Sequence, residues 1–326
     1  MHLLQFRPVQ SFLRAACLLP LLWLTACDRP AATPGTASPL TSLLEARRGF
    51  TTRLLERENT DEDVAEPPAG TFDLIKYPSR AGDLAAYVSH APADNARHPA
   101  IVWLFGGFSN SVGEEAWTPG PPENDQSASA FREAGVLMMY PSLRGGNRNP
   151  GHIENFYGEV DDVLAARDWL AKQPFVDPAR IYLGGHSTGG TLALLVAECG
   201  GQRFRGVFAF GPAGNPRDYG DEVLFYDVKN PRESELRAPE RWLAAVDNPT
   251  FVLEGTGPRS NIDSLQDLAK RSKNPLLHFL PIKGASHFSG LRPVSRLLAR
   301  KILADTGPAA SLTLTEGELA DAMHQP

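Results

Sequence analysis

Gly185-His186-Ser187-Thr188-Gly189 sets a serine between two glycines in the pattern G-x-S-x-G. The strand-like run Ile181-Tyr182-Leu183 leads straight into it, and a helix-like run, Thr191 to Val196, begins straight after. That context predicts a tight strand-to-helix turn with the Ser187 hydroxyl at its tip, the setting of a nucleophile. The glycines have a physical task there, because the nucleophile's backbone is strained and side chains two positions to either side would strike the neighbouring strand and helix. The chemistry is attack on a carbonyl, with the free N–H groups of a helix N-terminus aimed at the reacting centre.

A serine hydroxyl is a poor nucleophile without a base, and the base needs a group to orient it. His287 in IKGASHFSG, just after the last strand-like run, is the candidate base. His278 lies inside that strand. His186 adjoins the nucleophile but faces the wrong way at such a turn, and His152 sits in a Pro-Gly loop that could border the site. For the acid, Glu254 at the end of the strand TFVLEG is favoured over Asp263, which directly precedes a helix and suits an N-cap. Asp218 and Asp221 are outsiders. The oxyanion needs two donors: the backbone N–H of Thr188, and one from the turn LFGGFSN, at Phe108 or Gly107.

The elements that must position these residues read as an α/β protein. TFDLIKYPS and LAAYVSHAP suggest a hairpin, AIVWLFGG and VLMMYPS two further strands, and Val160, Val163, Leu164 and Ala171 an apolar stripe on a helix from about Gly158 to Lys172. RIYLGG, GVFAFG, TFVLEG and LLHFLPI follow with helices between them. The pattern predicts a mostly parallel sheet of about eight strands with helices on both faces.

The run EVDDVLAARDWLAKQPFVDPARIYLGGHSTGG, with YPSLRGGN upstream, resembles the catalytic domain of prolyl-oligopeptidase-type and dienelactone-hydrolase-like serine hydrolases. The likeness extends from about Thr71 to Ala304 and implies the α/β-hydrolase fold, with a short lid-like insertion, residues 211–248, after the sixth strand. The chain departs from that pattern in two places. Such proteins usually carry an Asp a few residues after the seventh strand's Gly, where Pro258 and Arg259 stand here. LFGGFSN replaces the more usual His-Gly-Gly, and Phe105 stands where some oligopeptidases use a Tyr hydroxyl. Tyr219, Phe225, Tyr226 and Trp242 in the insertion could line a pocket, with packing the plainer role for Trp242. There is no room for an N-terminal propeller and no recognisable pair of glutamates to capture a free amino terminus. A small ester, an amide or an acylated cell-envelope compound is therefore as credible a substrate as a peptide.

The N-terminus carries a separate signal. His2, Arg7 and Arg14 precede a short apolar run, Ala15 to Leu24, that ends in Leu24-Thr25-Ala26-Cys27. It is too short to span a bilayer and reads as a signal peptide over residues 1–26. It resembles a bacterial lipobox, which implies that Cys27 is lipid-modified and anchors the protein to the bilayer, facing the periplasm; Asp28 slightly favours the inner membrane. Residues 27–42 read as a flexible tether reaching about 20 Å. Leu43, Ala46, Phe50 and Leu54 predict an amphipathic helix within 43–66. Residues 67–305 form the catalytic domain and 306–326 a C-terminal tail. Cys17 leaves with the signal peptide, so Cys199 has no disulfide partner and reads as core.

Composition bounds the function. The 326 residues are 42% hydrophobic and 21% charged with a formal charge of -6, which fits a globular protein and gives nucleic acid no basic face to bind. No H-e-x-x-H, Cys/His cluster, phosphate loop or dinucleotide fingerprint is present, so no metal or cofactor is implied. The expectation is a membrane-tethered serine hydrolase working through an acyl-enzyme. The competing expectation is a binding or envelope-maintenance lipoprotein on a hydrolase scaffold that has lost turnover.

Overall fold

Eight apolar runs pair into one sheet: β1 (Asp73–Pro78), β2 (Asp83–Val88), β3 (His98–Leu104), β4 (Leu137–Pro141), β5 (Val176–His186), β6 (Val207–Phe210), β7 (Thr250–Gly255) and β8 (Leu277–Ile282). Their spatial order is β1-β2-β4-β3-β5-β6-β7-β8. β2 runs antiparallel to both its neighbours and the pairs from β4 to β8 are all parallel. This computed structural model describes residues 42–118 and 120–325. The signal peptide, Cys17, Cys27, Asp28 and the tether up to residue 41 lie outside the described residues.

Helices α1 (Leu43–Ala46), α2 (Ala130–Glu133), α3 (Gly158–Leu170), α4 (Thr188–Ala197), α5 (Pro231–Glu235), α6 (Ile262–Arg271), α7 (Leu291–Ala304) and α8 (Glu316–Met323) complete the chain. The two-residue period of the strands divides the core in two. Val102, Leu183, Ala209 and Val252 face one side and pack with α3, α4 and α6 through Val163, Leu192 and Leu268. Ile101, Trp103, Tyr182 and Phe251 face the other and pack with α2, α7 and α8 through Phe131, Val294 and Leu319. All ten residues of α4 are buried, so the helix after the candidate nucleophile is a core element. Each of its leucines, Leu192, Leu194 and Leu195, stabilises the fold by about 2 kcal/mol through burial.

Three expectations change in detail. The helix expected within 43–66 is a single turn, α1, with a capping box between Ser42 and Glu45. Gly49 then takes a positive φ of 73° and the chain continues extended, because its partners are distant rather than local. Thr60 N donates to Gly145 O at 2.7 Å, and Leu54 bridges Tyr226. Secondly, residues 306–326 are no loose tail. They carry α8, capped by Thr315 and Glu318, with Leu319 and Ala322 buried. Thirdly, the 211–248 insertion is a tightly tied string of short helical turns. Buried Arg237 bonds Glu233 and Thr52 and lies over the Tyr226 ring at 4.1 Å, while Trp242 Nε1 donates to Glu235 O at 2.8 Å. Tyr226 and Trp242 are spent in packing.

Candidate active site

Ser187 sits between β5 and α4 with φ 56° and ψ −118°, a conformation that a non-glycine residue holds only under constraint. Its neighbours supply that constraint. Ser187 N donates to Phe210 O at 2.8 Å, and Thr191 N donates to Ser187 O at 2.9 Å. A Cβ on Gly185 would lie 2.3 Å from the Gly189 carbonyl oxygen, and one on Gly189 would lie 2.3 Å from that of Leu104. Both glycines of the motif are therefore required by close backbone approach.

His287 lies in the loop between β8 and α7. Its Nδ1 meets Glu254 Oε2 at 2.8 Å. Glu254 is the penultimate residue of β7 and is 2% exposed, and its carboxylate also accepts from Asn261 N at 3.1 Å and Gly255 N at 2.5 Å. Asp263, the other candidate acid, is exposed on the first turn of α6. Asp221 is committed to Arg217 at the surface, and Asp218 is exposed. Of the carboxylates considered, the structure brings Glu254 to the histidine.

His186 corrects its expected place. Its ring packs 4.5 Å from that of His287, and its Nε2 donates to the His287 carbonyl at 3.0 Å. Burial, reinforced by the neighbouring imidazole, lowers its pKa to about 3, so it stays neutral and acts as a spacer behind His287. His278 is exposed on β8 and stacks on Phe251, and His152 bonds Asn59 on the surface.

Gly211, Asn261 and Glu159 escape sequence reasoning, while Tyr219, expected as a residue that could line a pocket, takes a specific place in the site. Gly211, at φ +58°, leaves the space that the acid-base pair fills: a Cβ there would stand 2.4 Å from His287 Cε1 and 2.8 Å from Glu254 Oε2. Asn261 holds Glu254 through its backbone and the Gly211 carbonyl through Nδ2 at 3.2 Å. Tyr219 reaches in from the insertion to bond Thr191 Oγ1 at 2.7 Å; burial raises its pKa. Glu159 lies beneath the turn after β3. For Gly211, Asn261 and Glu159 the only sequence signal is the glycine just after a strand end.

At the candidate oxyanion site the Thr188 hydroxyl donates to Gly107 O at 2.6 Å, tying the first turn of α4 to the turn after β3. Gly107 itself has φ +100°. Ser187 N is used in the sheet, whereas the amides that open α4, Thr188 first, precede any intrahelical acceptor. The Phe108, Phe156 and Tyr219 rings contact one another at 5.5 to 6.5 Å and wall the region. Among the described residues no group of three or more His, Cys, Asp or Glu could hold a metal ion.

The fold is the α/β-hydrolase fold, and a strained serine with a carboxylate-held histidine is the equipment of its serine hydrolases, peptidases and esterases alike. Residues 122–249 match the prolyl oligopeptidase family, a span that includes Ser187 and Tyr219 and stops short of Glu254 and His287. A probable dipeptidyl-aminopeptidase B of Paracoccidioides brasiliensis is 26% identical over 177 residues, 49% of this chain and 18% of that protein. The chain spans a quarter or less of the length of the curated relatives it matches. Among solved structures, an esterase of Pyrobaculum calidifontis superposes with a TM-score of 0.53 at 18% identity, covering 73% of this chain and 86% of that one. A puromycin-hydrolyzing peptidase of Mycobacterium tuberculosis gives 0.56 at 19% identity, covering 74% and 41%.

Proposed function

We propose that this protein hydrolyses a small ester, amide or peptide through an acyl-enzyme on Ser187. The observation that carries the reading is the 2.8 Å bond from His287 Nδ1 to Glu254 Oε2, on a sheet whose neighbouring elbow holds Ser187 at φ 56°. With Nδ1–H donated to the carboxylate, Nε2 is the nitrogen left to accept a proton. Ser187 Oγ attacks the carbonyl carbon as His287 takes its proton, and the oxyanion is held by the Thr188 amide and that of Phe108 or Gly107. The imidazolium returns the proton to the leaving group; water then releases the acyl group by the same route. Glu254 orients the ring and stabilises its charged form. The feature that favoured a scaffold without turnover, an Asp missing after β7, loses its force because the Glu254 carboxylate reaches the histidine from the strand end.

The lipobox-like Leu24-Thr25-Ala26-Cys27 supports a lipid anchor at Cys27 on the periplasmic side of a bacterial envelope. Fatty-acid label incorporated by the full chain and lost in Cys27→Ala is the expected result, and no incorporation would remove the anchor from the proposal. For the chemistry, the full chain should turn over one or more members of a panel of short-acyl chromogenic esters and peptide amides. Mass spectrometry of stopped reactions should find the acyl group on Ser187. Turnover that survives Ser187→Ala would overturn the assignment.

A further inference from the structure

Beside the elbow lies a cavity of about 50 Å³, bounded by Phe108, Leu143, Ile153, Phe156, Thr188 and Leu192. That exceeds the roughly 10–15 Å³ needed by one water, so a group of a few heavy atoms fits. Ser109, Asn110, Ser111 and Asn155 also line it, and Glu159 is its charged group. Glu159 is 2% exposed. Its Oε1 accepts from Asn110 Nδ2 at 3.0 Å and Glu154 N at 2.6 Å, while its Oε2 is buried with no hydrogen-bond partner among the described residues. A buried acceptor left unmet costs about 1–3 kcal/mol, more for a charged group, and a ligand donor would recover it.

The surrounding charge selects the donor. Arg144 is the cation facing Glu159, and its guanidinium is already engaged, by Asp162 at 2.8 and 2.9 Å and by Glu154 at 2.7 Å. Arg144 thus spends its donors on Glu154 and Asp162 and leaves Glu159 without one. The position is also fixed: a Cβ on Gly158 would fall 1.8 Å from Arg144 Nη1, so the arginine packs directly on the start of α3. The cavity shares Gly107, Phe108 and Thr188 with the candidate oxyanion site, and Phe108 and Phe156 both touch Tyr219, which bonds Thr191 in the first turn after Ser187.

We propose that this cavity is a recognition pocket for a short substrate group that ends in a protonated amine, received by Glu159 Oε2. The proposal deepens the hydrolase reading and rests on it for the placement of the acyl chain. Burial holds the Glu159 carboxyl above its ordinary range, with Glu154 adding to the effect and Arg144 opposing it. Its charge therefore develops as pH rises, and preference for an amine should grow in that direction while the amine remains protonated.

The test compares β-alanyl and butyryl esters of one phenol, which differ in an ammonium against a methyl group. The wild-type chain should favour the β-alanyl ester by roughly tenfold in kcat/KM, increasingly so at higher pH, a comparison that needs no variant. Glu159→Gln, which keeps an acceptor at Oε1, should erase the preference. Equal use of both esters, or a preference that survives Glu159→Gln, would overturn the pocket and leave the hydrolase reading intact. Titration of n-propylammonium into the Ser187→Ala chain separates the two ideas. Binding that Glu159→Gln removes and n-propanol does not reproduce supports the pocket even if neither ester turns over, an outcome that would count against the hydrolase reading alone.

Discussion

The elbow and the acid-base pair are held by different physics. Around Ser187 the backbone decides: a Cβ on Gly185 or Gly189 would stand 2.3 Å from a carbonyl oxygen, and the motif itself spans five residues. Around His287 side chains decide, in a bond between residues 33 apart, one near the end of β7 and the other in the loop after β8. The pair is completed by Gly211 and Asn261 from two further segments. A local motif is thus robust as a unit, whereas the distributed pair can be undone at any of several places without disturbing the elbow.

That difference orders the expected effects. Glu254→Gln should leave the fold intact and lower kcat by about 10⁴, as loss of the orienting acid does in other triads, while Asp263→Asn changes little. The reverse order in steady-state assays would move the acid to Asp263. Gly211→Ala drives a methyl group into the His287–Glu254 pair and adds strain at φ +58°, so kcat should fall by about 10² from a displacement of about 1 Å. Labelling of Ser187 by a non-specific acylating agent should fall in parallel. Unchanged kcat in a folded Gly211→Ala chain would show that the pair has more room than its contacts indicate.

A smaller effect concerns stability rather than turnover. Glu198 ends α4 with both carboxylate oxygens buried and unpartnered among the described residues, and burial raises its pKa well above the ordinary value of 4.5. Above pH 4.5 the unfolded chain therefore releases this proton while the folded chain keeps it. Stability then declines with rising pH by about 1.4 kcal/mol per unit until the folded group ionises. Glu198→Gln should flatten that decline and raise Tm at neutral pH. Parallel pH–Tm curves for the two chains would contradict it.

How much of this is legible in the sequence follows the same division. The parallel strands announce themselves as apolar runs, and the elbow by its glycines, because both signals are local. Glu254 is legible as a strand-end carboxylate with reach. The 43–66 segment misleads because Leu43, Ala46, Phe50 and Leu54 share a helical spacing, yet beyond α1 the chain is fixed by long-range partners such as Gly145 and Tyr226. The 306–326 segment similarly hides α8 behind a weakly apolar sequence. Glu159 gives no local sign, and for Tyr219 and His186 the sequence shows the residue but not its partners, since each acquires its neighbours only when distant segments meet at the ends of the strands.

The most direct test of the central claim is fluorophosphonate labelling of the full chain beside Ser187→Ala and His287→Ala. The account predicts a single label on Ser187, absent from the first variant and strongly slowed in the second. A well-folded wild-type chain that takes no label, or takes it at another serine, would contradict the account.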